Sequence, residues 1–162
     1  MKQRLARIAV LIAMLLTMLG IGGHETLALY HVSGNSMNPA MADGDQVLVN
    51  RFAYRWSEPR AGDLVVAGND RNLPGFVVKR VVAVGGQRIA IQDGQLVVDN
   101  RPLDEEYLPD GTRTECAGNA CNLMVPEGMV YLLGDNRSES FDSRVVGPVP
   151  VSDIVGEVMT TF

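Results

Sequence analysis

The sequence predicts a mainly β fold of antiparallel strands that follows one apolar N-terminal helix. Two observations lead to this prediction. After residue 30, short β-branched runs alternate with Gly, Pro, Asn and Asp, which is typical of strands joined by tight turns. Before it, residues 8–23 form a run of sixteen residues without a charge. A chain of 162 residues has room for one folded domain and a short appendage.

The apolar run predicts a segment that enters or crosses a membrane. At ~1.5 Å per residue it extends roughly 24 Å, so flanking residues must contribute if it spans a hydrocarbon core of about 30 Å. Lys2, Arg4 and Arg7 precede it and favour a cytoplasmic N-terminus. A cleaved secretory signal is the alternative, because the same features suit one. The predicted divisions are a cytoplasmic tail, 1–7, an anchor helix, 8–29, and an extracytoplasmic β domain, 30–162.

Strand candidates follow along the rest of the chain. They are the runs 47–49, 64–66, 76–78, 81–84, 129–133 and 154–159. The clearest hairpin joins 88–92 to 95–98, because Asp93-Gly94 supplies the positive φ angles of a two-residue turn. Residues 104–128 are acidic and rich in turn residues, which indicates a surface excursion rather than a second domain.

The charge balance excludes one class of partner. Three of the 14 basic residues precede the apolar run, which leaves 11 basic against 19 acidic residues in the rest of the chain. An acidic domain is a poor ligand for a phosphate backbone, so nucleic acid is not an expected partner.

Cys116 and Cys121 are the two cysteines of the chain. Outside the cytoplasm, such a pair favours a small disulfide that closes a loop and stiffens the excursion. A metal site would need further ligands that the region does not supply, and two free thiols are the remaining alternative.

A serine and a lysine are the candidate reactive groups. Lys79 is the only lysine after Lys2, whereas the outer domain uses arginine ten times, and a buried lysine can lose its proton whereas arginine cannot. Ser36 lies between Gly34, which permits a close approach of the backbone, and Pro39, which fixes the direction in which the chain leaves. A Ser-Lys dyad needs no histidine. A solvated lysine at a strand edge and a polar turn are the alternative interpretations of these two residues.

Four ordered blocks carry a resemblance to a known family. They are Ser33-Gly-Asn-Ser-Met-Asn-Pro39, Gly44-Asp-Gln-Val-Leu-Val-Asn-Arg51, Val77-Val-Lys-Arg80 and Gly134-Asp-Asn-Arg-Ser-Glu-Ser-Phe-Asp-Ser-Arg144. With these blocks the chain resembles the type I signal peptidases. The last block is the most specific of the four. The resemblance implies the antiparallel β fold that signal peptidases share with repressor-type autoproteases, and no cofactor is expected.

The resemblance implies a membrane-anchored endopeptidase that removes signal peptides from exported preproteins. By that match, Ser36 attacks the scissile carbonyl, and neutral Lys79 takes its proton and passes it to the leaving amine. The backbone N–H of Ser36 would stabilise the oxyanion. Ser140 matches a serine that hydrogen-bonds and orients the lysine, and Asp142 and Arg144 match a structural ion pair beside it.

Substrate selection and membrane placement also follow from the resemblance. The residues that match the family's small-residue pockets, and would favour cleavage after Ala-x-Ala, are Val32, Met37, Met41, Val77 and Val78. Gly34 is a departure, since some members have there a serine that donates to the oxyanion. A peptidase that meets its substrate at the bilayer favours a retained anchor, with the catalytic domain on the outer face of a bacterial cytoplasmic membrane. The aromatic residues of Phe52-Ala-Tyr-Arg-Trp56 suit contact with the lipid bilayer, although half-buried loop aromatics are the alternative.

Two other functional classes remain open at this point. A Ser-Lys autoprotease of the repressor type would need a DNA-binding module and a cytoplasmic location, which the apolar run and the acidic domain disfavour. A membrane-tethered binding module without catalysis gives no reason for a single lysine among ten arginines at the position of the base.

Overall fold

A computed structural model describes residues 26–68, 73, 75–116, 118 and 120–162. The predicted cytoplasmic tail and residues 8–25 of the predicted anchor lie outside this part of the chain. Within the described residues, no helix combines the length and the apolar character needed to cross a membrane.

The described residues form antiparallel β-sheets with very little helix, as the sequence predicts. The elements are β1 (Leu27–His31), β2 (Gln46–Asn50), β3 (Leu64–Ala67), β4 (Val77–Val84), β5 (Arg88–Gln92), β6 (Gln95–Val98), β7 (Arg101–Pro102), β8 (Asn122–Met124), β9 (Met129–Leu133), α1 (Ser143–Val146), β10 (Val149–Pro150), a 3-10 helix (Val151–Asp153) and β11 (Ile154–Thr161). A seven-stranded sheet has the order β1-β2-β11-β3-β4-β9-β10, and a four-stranded sheet has the order β7-β6-β5-β8.

The predicted end of the anchor helix at residue 29 is wrong. Residues 27–29 belong to β1, in which Leu27 pairs with Asn50 and Leu29 with Leu48 of β2. The side chains of β1 alternate between exposed and half-buried along the strand. Backbone pairing with β2 therefore replaces the hydrogen bonds that a helix would make with its own next turn.

The central hairpin forms as predicted, whereas two predicted strands prove to be one. Asp93 and Gly94 have φ angles of 52° and 81°, which fit a two-residue turn between β5 and β6. The runs 76–78 and 81–84 are both within or at the edge of β4, which continues through the buried charged residues Lys79 and Arg80. The sequence predicts two strands here because these two charged residues interrupt the apolar pattern of β4.

Three groups of buried side chains make up the core, and one of them holds the serine loop. Val32, Met37 and Met41 come from the loop between β1 and β2, and they pack with Val47, Val49 and Val66 of the large sheet. Both methionines are 1% exposed. Because residues on each side of Ser36 are embedded in the core, the loop has a fixed position on the sheet.

Candidate active site

Ser36 lies in the loop that connects β1 to β2, and local hydrogen bonds define the shape of this loop. Gly34 has a φ angle of +85°, which an L side chain rarely adopts, and its N–H donates to Asp43 Oδ1 at 2.7 Å. The N–H of Met41 donates to the carbonyl of Met37 at 3.0 Å. The glycine turn and the two buried methionines together present the hydroxyl of Ser36 at the surface of the sheet.

Lys79 approaches Ser36 from the middle of β4. Its Nζ lies 2.7 Å from Ser36 Oγ and donates to it, and it also donates to the carbonyl of Val78 at 2.9 Å. Lys79 is 2% exposed, and its register partner across the strand pair is the fully buried Val65. The structure thus brings together the two residues that the sequence singled out, which lie 43 positions apart.

Burial lowers the pKa of Lys79 from 10.5 to about 8, because the charged ammonium loses its hydration among apolar neighbours. The negative charges of Asp142 and Asp135 act in the opposite direction and raise this pKa. Desolvation is the larger influence. A substantial fraction of Lys79 is therefore neutral in the mildly alkaline range, and a neutral amine is able to accept a proton from the adjacent hydroxyl.

The loop after β9 holds the backbone of Ser36 from the other side. The N–H of Asn136 donates to the carbonyl of Ser36 at 3.0 Å, and its side-chain amide donates to the carbonyl of Asn35 at 3.1 Å. Gly134 packs so closely that a Cβ at this position would overlap Ser36 O and Ser140 Oγ. Gly134 and Asn136 therefore position the nucleophile loop rather than the reacting atoms themselves.

Asp142 and Arg144 form the buried ion pair that the resemblance implied. Arg144 donates from Nε and Nη2 to the two carboxylate oxygens of Asp142, at 2.8 and 2.9 Å. Asp142 also accepts from the N–H of Gly134 at 3.1 Å, and it caps α1 by accepting from the N–H of Arg144. The pair thus connects α1 to the loop that touches Ser36.

The hydrogen bond expected between Ser140 and Lys79 is absent from the structure. Among the described residues, Ser140 Oγ is buried without a hydrogen-bond partner. The Nζ of Lys79 instead makes its two hydrogen bonds to Ser36 and Val78. Ser140 does lie at the site, since its hydroxyl packs against Gly134.

The five residues that match the family's pockets belong to two different groups of core side chains. Val32, Met37 and Met41 are almost fully buried in the core, so they can form at most the floor beneath a substrate. Val78 is half-buried and packs against that same group, whereas Val77 packs against the group on the other side of β3 and β4. The sequence match could not separate core residues from surface residues, because both are apolar.

The sequence did not predict two further ion pairs, each of which contains a buried arginine. Arg80 donates to both carboxylate oxygens of Asp135 at 2.9 and 2.7 Å, and its guanidinium lies 3.9 Å above the ring of Tyr107. Arg137 pairs with Glu105 at 2.6 Å and donates to the carbonyl of Gly134 at 3.0 Å. Arg80, Asp135 and Arg137 all lie in the sequence blocks that carry the family resemblance, which marks them as candidates. Their pairing could not be predicted, because it depends on strand register.

Cys116 and Cys121 form a disulfide, as predicted, with a Cα–Cα distance of 5.7 Å. The loop that it closes packs near α1, since Arg144 donates to the carbonyl of Glu115 at 3.2 Å. Tyr131 donates to the carbonyl of Ala120 at 2.6 Å. Within the described ranges, no three His, Cys, Asp or Glu side chains converge as the ligands of a metal would.

An antiparallel β fold with a buried lysine against a serine hydroxyl defines a class of serine peptidase that works without histidine. Comparisons with known proteins identify the family. A family model described as "Signal peptidase, peptidase S26" matches residues 4–162. The chain therefore belongs to the signal peptidase family, peptidase S26, and it is a serine endopeptidase.

Individual relatives cover most of the chain. It is 33% identical over 143 residues to "Signal peptidase I V" of Bacillus subtilis, which covers 80% of this chain and 82% of that protein. It is 30% identical over 176 residues to "Signal peptidase IB" of Staphylococcus aureus, covering 100% of this chain and 91% of that protein. Among solved structures, a signal peptidase I from Enterococcus faecalis V583 matches with a TM-score of 0.51 and 28% identity, over 64% of this chain and 98% of that chain.

Proposed function

We propose that this chain is a membrane-anchored signal peptidase that removes signal peptides from exported preproteins with a Ser-Lys dyad. The single observation that carries the dyad is the 2.7 Å contact between Lys79 Nζ and Ser36 Oγ, made by a lysine that is 2% exposed. Neither a repressor-type autoprotease nor a binding module without catalysis is favoured by a separate observation.

In the proposed reaction, neutral Lys79 accepts the hydroxyl proton of Ser36 while Oγ attacks the scissile carbonyl. The tetrahedral intermediate then collapses, and Lys79 transfers this proton to the leaving amine. Water then attacks the acyl-enzyme. The neutral amine of Lys79 takes the proton of this water and returns it to Ser36 Oγ as the acyl group leaves. The N–H of Ser36 has no acceptor among residues 26–68, 75–116 and 120–162, which makes it available to the oxyanion. The N–H of Gly34 is already committed to Asp43.

A free strand edge beside the dyad suits an extended peptide. β9 pairs with β4 only from Arg80 onward, whereas β3 pairs with β4 from Val77. The backbone of residues 77–79 is therefore unpaired on the side of β9, and a substrate strand would bond there next to Ser36. The half-buried Val78 leaves little depth at this edge, which supports a preference for small residues such as alanine. Asp142, paired with Arg144, supports the loop after β9 through the N–H of Gly134, and Ser140 packs against the same glycine.

The proposal places the catalytic domain on the outer face of a bacterial cytoplasmic membrane. Residues 8–25 form the single anchor, the N-terminus is cytoplasmic, and the domain meets the signal peptide where it leaves the bilayer. Strand β1 begins at Leu27, and three residues, 24–26, separate it from the end of the apolar run 8–23. This short connection keeps the site at the membrane surface.

The test is cleavage of a secretory precursor by the full chain in detergent, followed by N-terminal analysis of the product. Ser36→Ala and Lys79→Met should each abolish cleavage, because one removes the nucleophile and the other the base. Ser152→Ala changes an exposed serine and serves as the matched control. Cleavage that survives either dyad substitution would contradict the proposed mechanism.

A further inference from the structure

The segment 51–56, which follows β2, lies beside the point where the described domain begins. The N–H of Arg51 donates to the carbonyl of Thr26 at 2.7 Å, and the first residue of β1, Leu27, pairs with Asn50. Residues 1–25 therefore join the domain next to Arg51. If residues 8–25 span the bilayer, as the proposed function requires, then this segment faces the headgroup region.

This segment contains three aromatic and two cationic side chains, and Phe52, Arg55 and Trp56 form one cluster. The rings of Phe52 and Trp56 lie 6.5 Å apart, and the guanidinium of Arg55 lies 5.3 Å from each ring centroid. Trp56 is 83% exposed, whereas Tyr54 is half-buried and donates to Asp63 at 2.9 Å. Tyr54 thus fixes the segment to the domain, while Trp56 and Arg55 point to the outside.

A cavity of about 290 Å³ opens between this segment and the start of β11. Arg51, Arg55 and Ser152 are among its lining residues, and an adjoining cavity that shares Arg51 and Ser152 is also lined by Asp153. None of the ion pairs found in the described part of the chain involves Arg51 or Arg55. Residues 51–60 contain three arginines and one glutamate, in a chain with a net charge of -5. Arg51 and Arg55 are therefore two exposed cations outside the ion pairs of the described residues, on a protein that is acidic as a whole.

We propose that Arg51 and Arg55 bind the phosphate groups of anionic phospholipids, while Trp56 enters the interface beside them. This inference rests on the proposed membrane anchor and adds to it a charge-selective contact of the catalytic domain. A phosphodiester carries the negative charge that would pair with the two guanidinium groups. An indole ring favours the headgroup level of a bilayer. The contact would fix the orientation of the domain, and with it the height of the Ser36 site above the lipid.

The sole tryptophan of the chain, Trp56, makes the test specific. The full chain is reconstituted into vesicles of phosphatidylcholine alone or of equal parts phosphatidylcholine and phosphatidylglycerol. Trp56 emission is then quenched from the water with iodide and from the bilayer with brominated lipid. We expect phosphatidylglycerol to shift the emission to the blue, to protect Trp56 from iodide and to increase quenching by brominated lipid. The ratio of docked to undocked domains should fall about fivefold for each arginine replaced by glutamine.

Arg51→Gln/Arg55→Gln should lose the response to phosphatidylglycerol, whereas the exposed Arg101→Gln in β7 should keep it. Both variants should cleave a precursor in detergent at the parental rate, so loss of lipid docking is distinguishable from failure of the proposed peptidase. Equal quenching in both vesicle types would overturn the inference, because the contact would then depend on the rings alone. A blue shift caused by inorganic phosphate in detergent would also overturn it, since the site would then bind a free anion.

Discussion

At the scale of single residues, the chemistry depends on the balance of charges around one lysine. Burial favours neutral Lys79, while Asp135 and Asp142 favour its charged form, and burial has the larger influence. The two carboxylates are each neutralised by an arginine that chelates them, Arg80 and Arg144 respectively. Each carboxylate thus has a partner of opposite charge, and desolvation remains the largest influence on the pKa of Lys79.

The activity of the enzyme should rise with pH through about 8. The reaction needs the neutral amine, and the pKa of Lys79 is lowered to about 8 by burial. At pH 7 only about one tenth of the free enzyme would be active, and at pH 9 about nine tenths. The measurement is kcat/KM for a precursor between pH 6 and pH 10. A rate that does not change over this range would exclude Lys79 as the base.

Lys79→Met should abolish cleavage and yet stabilise the fold at neutral pH. The folded pKa of about 8 lies below the ordinary value of 10.5, so folding near pH 7 requires either burial of a charge or release of a proton. This corresponds to at most about 3 kcal/mol, less the hydrogen bonds that the amine makes. Because the folded parent loses its proton first, its stability rises between pH 8 and pH 10.5.

The check is urea unfolding of both proteins in detergent at pH 7 and pH 10. The advantage of Lys79→Met should be larger at pH 7 and should shrink at pH 10, where the parent lysine is neutral in the folded state. An advantage that is independent of pH would show that packing, rather than ionisation, sets the difference.

At the scale of elements, the sequence could predict local turns and apolar runs but not their pairing. The Asp93-Gly94 hairpin and the strands around residues 47–49 and 129–133 follow from local chemistry, and all of them form. The sequence places residues 27–29 of β1 in the anchor and residues 30 and 31 in the β domain. Only its pairing with β2, through contacts about 20 residues apart, makes it a strand.

In the candidate site too, the sequence predicts individual residues but not which of them pair. Ser36 and Lys79 could be identified from residue type, backbone setting and the resemblance. The pairs of Arg80 with Asp135 and of Arg137 with Glu105 could not, because ten arginines and many carboxylates allow numerous pairings. Register selects among them: Arg80 lies opposite Leu133, and the chain then turns at Gly134 to bring Asp135 back to Arg80.

Gly134→Ala should impair catalysis more than folding. The added methyl group would overlap Ser36 O and Ser140 Oγ, so the nucleophile loop must shift. A displacement near 1 Å lowers a rate by about a hundredfold, while overpacking costs about 1–3 kcal/mol. We expect a reduced kcat with a KM close to that of the parent. Gly111→Ala is the control, because its φ of +78° strains the backbone in open space away from the dyad.

Asp135→Asn should be strongly destabilising, unlike the loss of an exposed pair. Arg80 would keep its buried position without a full counter-charge, which costs about 3–5 kcal/mol. Glu115→Gln removes the partner of Arg113, whose side chain is 64% exposed, and should cost less than about 1 kcal/mol. Thermal unfolding of the two variants measures the difference. Equal losses would mean that burial does not determine the strength of these pairs.

At the scale of the whole molecule, the site is assembled from three segments that are distant in sequence. The loop before β2, the middle of β4 and the loop after β9 meet because the large sheet places β4 beside β9 and the core holds Met37 and Met41. The small sheet packs against the same strands through Val82, Ala83, Tyr131 and Leu133. The dyad therefore lies on strands and a loop that are packed into the core of the domain.

A shortened chain of residues 26–162 separates the contribution of the catalytic domain from that of residues 1–25. The strands and core that hold Ser36 and Lys79 all lie within this range, so the shortened chain should cleave a soluble signal-sequence peptide in detergent at nearly the parental rate. With a precursor inserted in vesicles, it should be slower by about a hundredfold or more, because it loses the effective concentration that a shared membrane provides. Cleavage of both substrates is measured against the full chain reconstituted in the same vesicles. Equal rates of the two proteins on the inserted precursor would mean that residues 1–25 do not serve to present the site to its substrate.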